Sequence, residues 1–210
     1  MPEKIDLVQD NKYEYSMPSE PKIVAVRPGN YLTVSGQGGP RDEDFQRKLG
    51  ALYGLAYTLK FDERTTGGRD FKVGVLDTPK QTWHWKLLIR VPTFVDAARL
   101  ERARATLKEK GRPTCGAKLE TIGEGKCLQI LHVGAYADEP RSLAKLHVYA
   151  KQHGLRFHGR HHEIYLSDPR RVPGSRLRTI LRHPVAPGRV RVRSARPRAQ
   201  RMSTGRRPDA

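Results

Sequence analysis

The sequence predicts an α+β fold. It is built from two pseudo-symmetric strand-helix-strand-strand repeats, with antiparallel sheets, helices on one face and a ligand groove between the halves. Three observations lead there. First, short runs that alternate with the period of a strand are interleaved with longer runs whose apolar residues recur at helical spacing, the pattern of a sheet layered with helices. Second, YLTVSGQG at 31–38 aligns with CLQILHVG at 127–134 at an offset of 96, which brings Leu32 onto Leu128, Val34 onto Ile130, Gly38 onto Gly134 and Tyr53 onto Tyr149. Third, WKLLIRVP at 85–92 aligns with HEIYLSDP at 162–169 at an offset of 77.

Each element has its own signal. KIVAVRP at 22–28 and YLTVSG at 31–36 read as strands joined at a Pro28-Gly29-Asn30 turn. In the helix that follows, Phe45, Leu49, Leu52, Ala56 and Leu59 form the apolar stripe. Asp42, Glu43 and Asp44 stand where the helix dipole favours acids, and Gly50 and Gly54 weaken the interior or permit close packing. Strands are expected at 71–76 and 83–91. TFVD at 93–96 loosely fits a capping box, and the helix after it turns Leu100, Ala103 and Leu107 inward before Gly111 and Pro113 end it. A strand pair at 117–122 and 126–133 follows. Pro140 opens a helix with Leu143, Leu146 and Ala150 inward, and Gly154 stops it. HGRHHEIYLSDPRR at 158–171 supplies the next strand, and a last short helix is expected over 174–182.

A chain of 210 residues with 37% hydrophobic content forms one ordinary domain or two small ones. Its formal charge of +18 is unevenly spread. Residues 187–210 hold eight arginines against one aspartate, a net +7, leaving +11 for residues 1–186. That last stretch lacks apolar periodicity and reads as a disordered Arg-rich tail. It suits weak, non-specific contact with nucleic-acid phosphates, or it simply solubilises. The chain thus divides into an N-terminal extension at 1–19, a domain at 20–186 with halves at about 20–112 and 113–186, and the tail. Cys115 and Cys127 form neither a metal pattern nor a disulfide framework, so a reduced, cytoplasmic setting is expected. The mixed-charge start is no signal peptide, and no apolar run is long enough to span a bilayer.

Candidate site residues cluster around the strand at 161–167. Alternation puts His162, Ile164 and Leu166 on one face and His161, Glu163, Tyr165 and Ser167 on the other. With Ile164 and Leu166 against the helices, Glu163 and Tyr165 would line the groove from the opposite face. An acid among aromatics attracts a cation or holds a water as general base; on its residues alone, Glu163 reads first as a solvated glutamate on an open sheet face. The offset of 77 makes Lys86 the counterpart of Glu163, either as an ion pair across the groove or as an exposed lysine. Trp85 has core parity, whereas Trp83, at the start of its strand, would reach the rim. Tyr136 follows a glycine and precedes a helix, so it points into the groove or lies on the surface. Tyr57 lies one turn after Tyr53 on the same helix side. His158, His161 and His162 lack the HExxH spacing, and neighbours on a strand face opposite ways, so no metal and no cofactor are expected.

ALYGLAYTLK at 51–60, WKLLIRVPTFV at 85–95, LQILHVGAYADEP at 128–140 and HHEIYLSDPRR at 161–171 resemble stand-alone members of the GyrI-like small-molecule-binding family, over about residues 20–186. The resemblance implies the duplicated fold and a hydrophobic small-molecule partner. Related domains are the effector-binding halves of multidrug-sensing regulators, in which a buried acid among aromatics binds lipophilic cations. Some stand-alone members resemble hydrolases that open the cyclopropane ring of DNA-alkylating natural products, and the family's namesake inhibits DNA gyrase. Carried onto this chain, the resemblance makes Glu163 the ligand-facing acid and general base, and Tyr136 a hydrogen-bond donor to the ligand. It turns Tyr57 towards the pocket. Tyr165, Trp83, His161 and Lys86 complete the expected ligand-binding set. Only some 20 residues precede the first strand, too few for a helix-turn-helix unit, which disfavours a transcription regulator.

Truncation at Pro187 is expected to leave the melting temperature within a few degrees of that of the full chain. A collapse of thermal stability in the truncated protein would show instead that the tail packs.

Overall fold

A computed structural model describes residues 4–67, 69–81 and 84–188. Trp83 and the tail beyond Gly188 lie outside the described residues. The strands are β1 (Lys4–Ile5), β2 (Lys22–Val26), β3 (Gly29–Gln37), β4 (Asp70–Phe71), β5 (Leu76–Gln81), β6 (His84–Val91), β7 (Lys118–Ile122), β8 (Gly125–Val133), β9 (Leu155–Phe157), β10 (His161–Tyr165) and β11 (Arg178–Pro187). The helices are α1 (Leu7–Asp10), α2 (Glu43–Asp62), α3 (Ala97–Glu109) and α4 (Glu139–Gln152). One large sheet runs β2-β8-β11-β10-β5-β6-β3-β7, with β9 against the end of β11, and β1 pairs with β4 in parallel.

The expected apolar stripes bury as their spacing requires. Phe45, Leu52, Ala56 and Leu59 of α2 pack with Leu32, Val34, Leu87 and Ile89, and with Leu100, Ala103 and Leu107 of α3. Leu146 and Ala150 of α4 pack on Leu128, Ile130 and Leu181. Both long helices therefore cover the same face of the sheet. Asp96 caps α3 by accepting from the Arg99 N–H at 2.8 Å, one turn later than a Thr93 cap would.

The pairing of the strands departs from the sequence reading. Instead of pairing with β3, β2 lies against β8, with Ile23 opposite Leu128; β7 lies against β3, with Leu119 opposite Leu32. Neither the Pro28 nor the Gly123-Glu124 connection closes a hairpin, and the opening strand is exchanged between the halves. Residues 178–187 form strand β11 rather than a helix, because Thr179, Leu181 and Val185 bury on one side and Ile180, Arg182 and Pro184 on the other.

Matched from the two edges inward, β2 corresponds to β7, β8 to β3, β11 to β6 and β10 to β5. The offset of 96 relates the first two pairs along their whole lengths, since β2 begins at 22 and β7 at 118, and β3 begins at 29 and β8 at 125. The offset of 77 does not follow this order. It sets β6 on β10, whereas Leu87 opposite Val34 is matched in the other half by Leu181 opposite Ile130. Thr78 and Glu163 pair with each other where the halves meet.

The face away from the helices is covered in the C-terminal half by the chain around residues 14–18 and carries a buried ionic network. Arg182, only 2% exposed, donates from Nε to Gln129 Oε1 at 3.0 Å, from Nη1 to Glu124 Oε2 at 2.9 Å, and from Nη2 to the Glu14 carbonyl. Glu14 is itself buried and pairs with Arg90 at 2.7 Å and with Arg27 at 3.2 Å. His162 Nε2 lies 3.5 Å from Glu124 Oε1. Removing one member of a buried ion pair strands its partner, so Arg182→Ala should cost about 3–5 kcal/mol. Arg27→Ala, whose side chain is exposed, should cost about 1 kcal/mol or less. Urea unfolding of the two variants checks the difference; equal losses would mean that the network does not hold the reverse face.

Candidate functional site

Register decides which way Glu163 points. It lies opposite Leu181, which packs on α4, and Tyr165 lies opposite Leu76, which belongs to the α2 core. Residues opposite one another in a ladder share a face. Glu163, Tyr165 and His161 therefore stand on the helix side, in the space between α2 and α4, while His162 and Ile164 take the reverse face. The expected parity is inverted. The reverse face holds the Arg182 network, which draws His162 to Glu124, and beside it a cavity of about 350 Å³ bordered by Lys86, Leu88, Glu120, His158 and His162.

On this side of the sheet Glu163 is buried, only 5% exposed. The Tyr165 hydroxyl donates to its Oε2 at 2.5 Å. His161 Nε2 stands 3.9 Å from Oε1. Tyr136 meets the Tyr165 ring edge-on, with centroids 5.6 Å apart, and keeps 39% of its surface exposed. Burial pushes the Tyr165 phenol well above its ordinary pKa, and the neighbouring Glu163 carboxylate adds to this. Burial also raises Tyr136, helped by Glu139 and Glu163. Both phenols thus stay protonated, as hydrogen-bond donors, at neutral pH.

The segment carrying Tyr136 is pinned at several points. Gly134 takes φ 140°, a conformation that favours glycine, and its N–H donates to the Leu177 carbonyl at 3.0 Å. The His132 ring bridges Ser142 Oγ at 3.0 Å and the Ala135 carbonyl at 3.1 Å. A single 3-10 turn at Tyr136–Asp138 then leads into α4. Glu139, buried in the first turn of α4, places a second carboxylate near both tyrosines. Nothing local marks it, because an acid in a first helical turn reads as a complement to the dipole. Its burial is the signal, and that belongs to the fold.

Along α2, the rings of Tyr53, Tyr57 and Phe61 stack at successive centroid distances of 6.4 Å. Tyr53 is partly buried against the same core as Tyr165, whereas Tyr57 is 47% exposed. Asp168 and Arg170, on the loop after β10, lie close enough to Tyr53 to perturb its phenol electrostatically, so that loop runs beside α2. Arg170 holds Asp168 down to about 2 through a bidentate contact. Lys86 is not part of this constellation. It projects from the reverse face and pairs with Glu120 at 2.7 Å, because its strand neighbours Trp85 and Leu87 take the core side. Trp85 is buried, as its parity implied, and donates to the Gly38 carbonyl at 3.1 Å. Trp83 falls outside the described residues.

A family model described as the GyrI-like small molecule binding domain matches residues 94–186. Among solved structures, a hydrolase from Listeria innocua is 34% identical, covers 87% of this chain and 100% of its own, and superposes with a TM-score of 0.82. Another Listeria innocua hydrolase is 32% identical over 88% of this chain and 100% of its own, also with a TM-score of 0.82. The EcmrR C-terminal domain, 11% identical over 80% of this chain and 98% of its own, has a TM-score of 0.52 and shares the fold alone. Comparison with curated protein sequences returns no match.

Tyr165→Phe removes a donor from a buried carboxylate and should cost about 1–3 kcal/mol. The folded-state pKa of Tyr165 is raised above its unfolded value of about 10. The stability conferred by the neutral buried phenol is therefore complete below about pH 10 and is lost as the pH rises beyond it. Urea unfolding across that range should show a shallower alkaline loss in Tyr165→Phe; identical slopes would show that Tyr165 does not govern it.

Proposed function

Because the chain belongs to the GyrI-like small-molecule-binding family, we propose that it binds hydrophobic small molecules, cations among them, in the groove between α2 and α4, and hydrolyses strained electrophiles there by opening a cyclopropane ring. The observation that carries this reading is the Glu163 carboxylate, buried in the groove and held by the Tyr165 hydroxyl beside the Tyr136 ring. The likeness to a Listeria innocua hydrolase along that protein's whole length supports hydrolysis as the reaction class.

In the proposed step, Glu163 orients a water and takes its proton as the oxygen bonds to a ring carbon. The strained carbon–carbon bond breaks and its electron pair moves onto the conjugated carbonyl, whose oxygen ends with the proton that Glu163 received. The hydroxyl of Tyr165 is already committed to Glu163. That leaves Tyr136 as the donor to the substrate carbonyl, and its raised pKa keeps it protonated for the task. An activated ring needs little beyond a placed water and a proton donor, so a simple site suffices. Detoxification of such compounds in the cytoplasm is the role this chemistry fits.

A non-catalytic sink or sensor uses the same pocket, and the aromatic ladder of Tyr53, Tyr57 and Phe61 beside a buried acid favours cation binding even without turnover. The Arg-rich tail adds weak, non-specific nucleic-acid contact as a secondary property.

Glu163→Gln separates these readings while keeping the side chain's shape. Loss of the charge should weaken cationic ligands by roughly 1–3 kcal/mol and leave neutral ones nearly unchanged. If Glu163 is the base, mass spectrometry of a cyclopropane-bearing alkylator should show formation of the water-added product falling on the order of 100-fold while binding persists. Unchanged binding together with unchanged turnover would remove Glu163 from the site altogether.

A further inference from the structure

The two halves treat one equivalent backbone edge differently. In the C-terminal half, the β2–β8 ladder ends at Lys22 opposite Gln129. The chain leading into β2 then continues along β8. The Leu131 N–H donates to the Pro18 carbonyl at 2.8 Å, and Gln129 Nε2 donates to the Ser16 carbonyl at 2.7 Å. In the N-terminal half, the β7–β3 ladder ends at the equivalent pair, Lys118 opposite Thr33, while β3 remains paired with β6 as far as Gln37. The residues corresponding to Pro18, Ser19 and Glu20 under the offset of 96 are Thr114, Cys115 and Gly116. They do not follow β3. Cys115 and Gly116 take φ 48° and 64°, and the Ala117 N–H closes a turn onto the Thr114 carbonyl at 3.1 Å. This turn carries the chain away from β3 and leaves a notch of about 320 Å³ beside Val34 and Ser35.

The lining of the notch states what it accepts. Lys48, Lys86 and Lys118 line it together with Cys115 and Gly116 of the turn; Lys48 pairs with Asp44 at 2.7 Å, and Lys86 with Glu120, which also accepts from the Thr33 hydroxyl at 2.8 Å. Ser35 is exposed at its floor. An exposed strand edge pairs with another extended backbone, and the side chains at its border select the sequence. We propose that the edge of β3 at Ser35 is a strand-addition site for a short, extended, acidic segment of a partner protein. Its backbone pairs with Ser35 as Pro18 pairs with Leu131, and its carboxylates, on the Ser35 face, meet Lys86 and Lys118. This site is on the sheet edge and is independent of the Glu163 groove.

A fluorescein-labelled peptide of alternating Glu and Val tests the proposal by fluorescence anisotropy on the full chain. It should bind, an alternating Lys and Val peptide should not, and the Ser35 amide should gain protection from hydrogen exchange. The Lys86→Glu, Lys118→Glu double variant should bind the Glu–Val peptide at least about tenfold more weakly. N-methylation of alternate peptide amides, made in both registers, should abolish binding in one register only, because only one set of amides faces β3. The N-methylated peptides are tested on the unaltered chain, so the result does not depend on how the double variant folds. The proposal is overturned if the Glu–Val peptide fails to bind or if both N-methylated peptides bind undiminished. It is equally overturned if inorganic phosphate displaces the peptide while Ser35 gains no protection, which would mark a simple anion site.

Discussion

A guanidinium held out of water has to be answered on every side, and Arg182 is answered by three separate stretches of chain: Gln129 on β8, Glu124 at the β7–β8 turn and the carbonyl of Glu14. An ionic group in that setting is tolerated only with such complete partnering. The arrangement fills part of the reverse face of the C-terminal half and ties Glu14 and Ser16 to the sheet. It also sets the orientation of β10. His162 stands opposite Arg182 and shares its partner Glu124. Strand alternation then leaves Glu163 no direction except the space between the helices.

That space concentrates acids and phenols in a poorly solvated setting. Glu163 and Glu139 both act electrostatically on Tyr136 and Tyr165, and burial acts on each tyrosine first. The apolar stripes of α2 and α4 bury against the sheet on either side of that space. The charge of the protein as a whole is of the opposite sign. The acidic character of the groove is therefore local and is made by the fold.

How far this was legible depends on the distance over which each feature is determined. The helices α2, α3 and α4 were legible to within a few residues, because their stripes are local and bury together. The strands β3 and β8 were legible from their shared alternation. Pairing was not, because the Pro28-Gly29-Asn30 turn signal says nothing about a partner a hundred or so residues away. Residues 174–182 looked helical only while the ladder with β8 was unknown. The offset of 77 matched two strands of like alternation that hold different places in the sheet. Glu163 is legible as a site candidate but its face is not: Ile164 is apolar and so reads as core-facing, whereas its register with Ile180 beside the Arg182 network decides. Lys86 was drawn into the site by the same alignment, and Glu139 was passed over because burial has no local signature.

The exchange of β2 and β7 has a kinetic consequence. Each half lends its opening strand to the other, so neither can complete its sheet from its own residues. A chain emerging from the ribosome makes β2 early, yet β2 must wait for Gly125–Gln129 before its backbone finds a partner. Contacts so distant along the chain slow folding and prolong the exposure of unpaired strands. Once both exchanges are made, they clasp the halves together, and opening the groove-bearing sheet at one edge means releasing a strand that belongs to the other half.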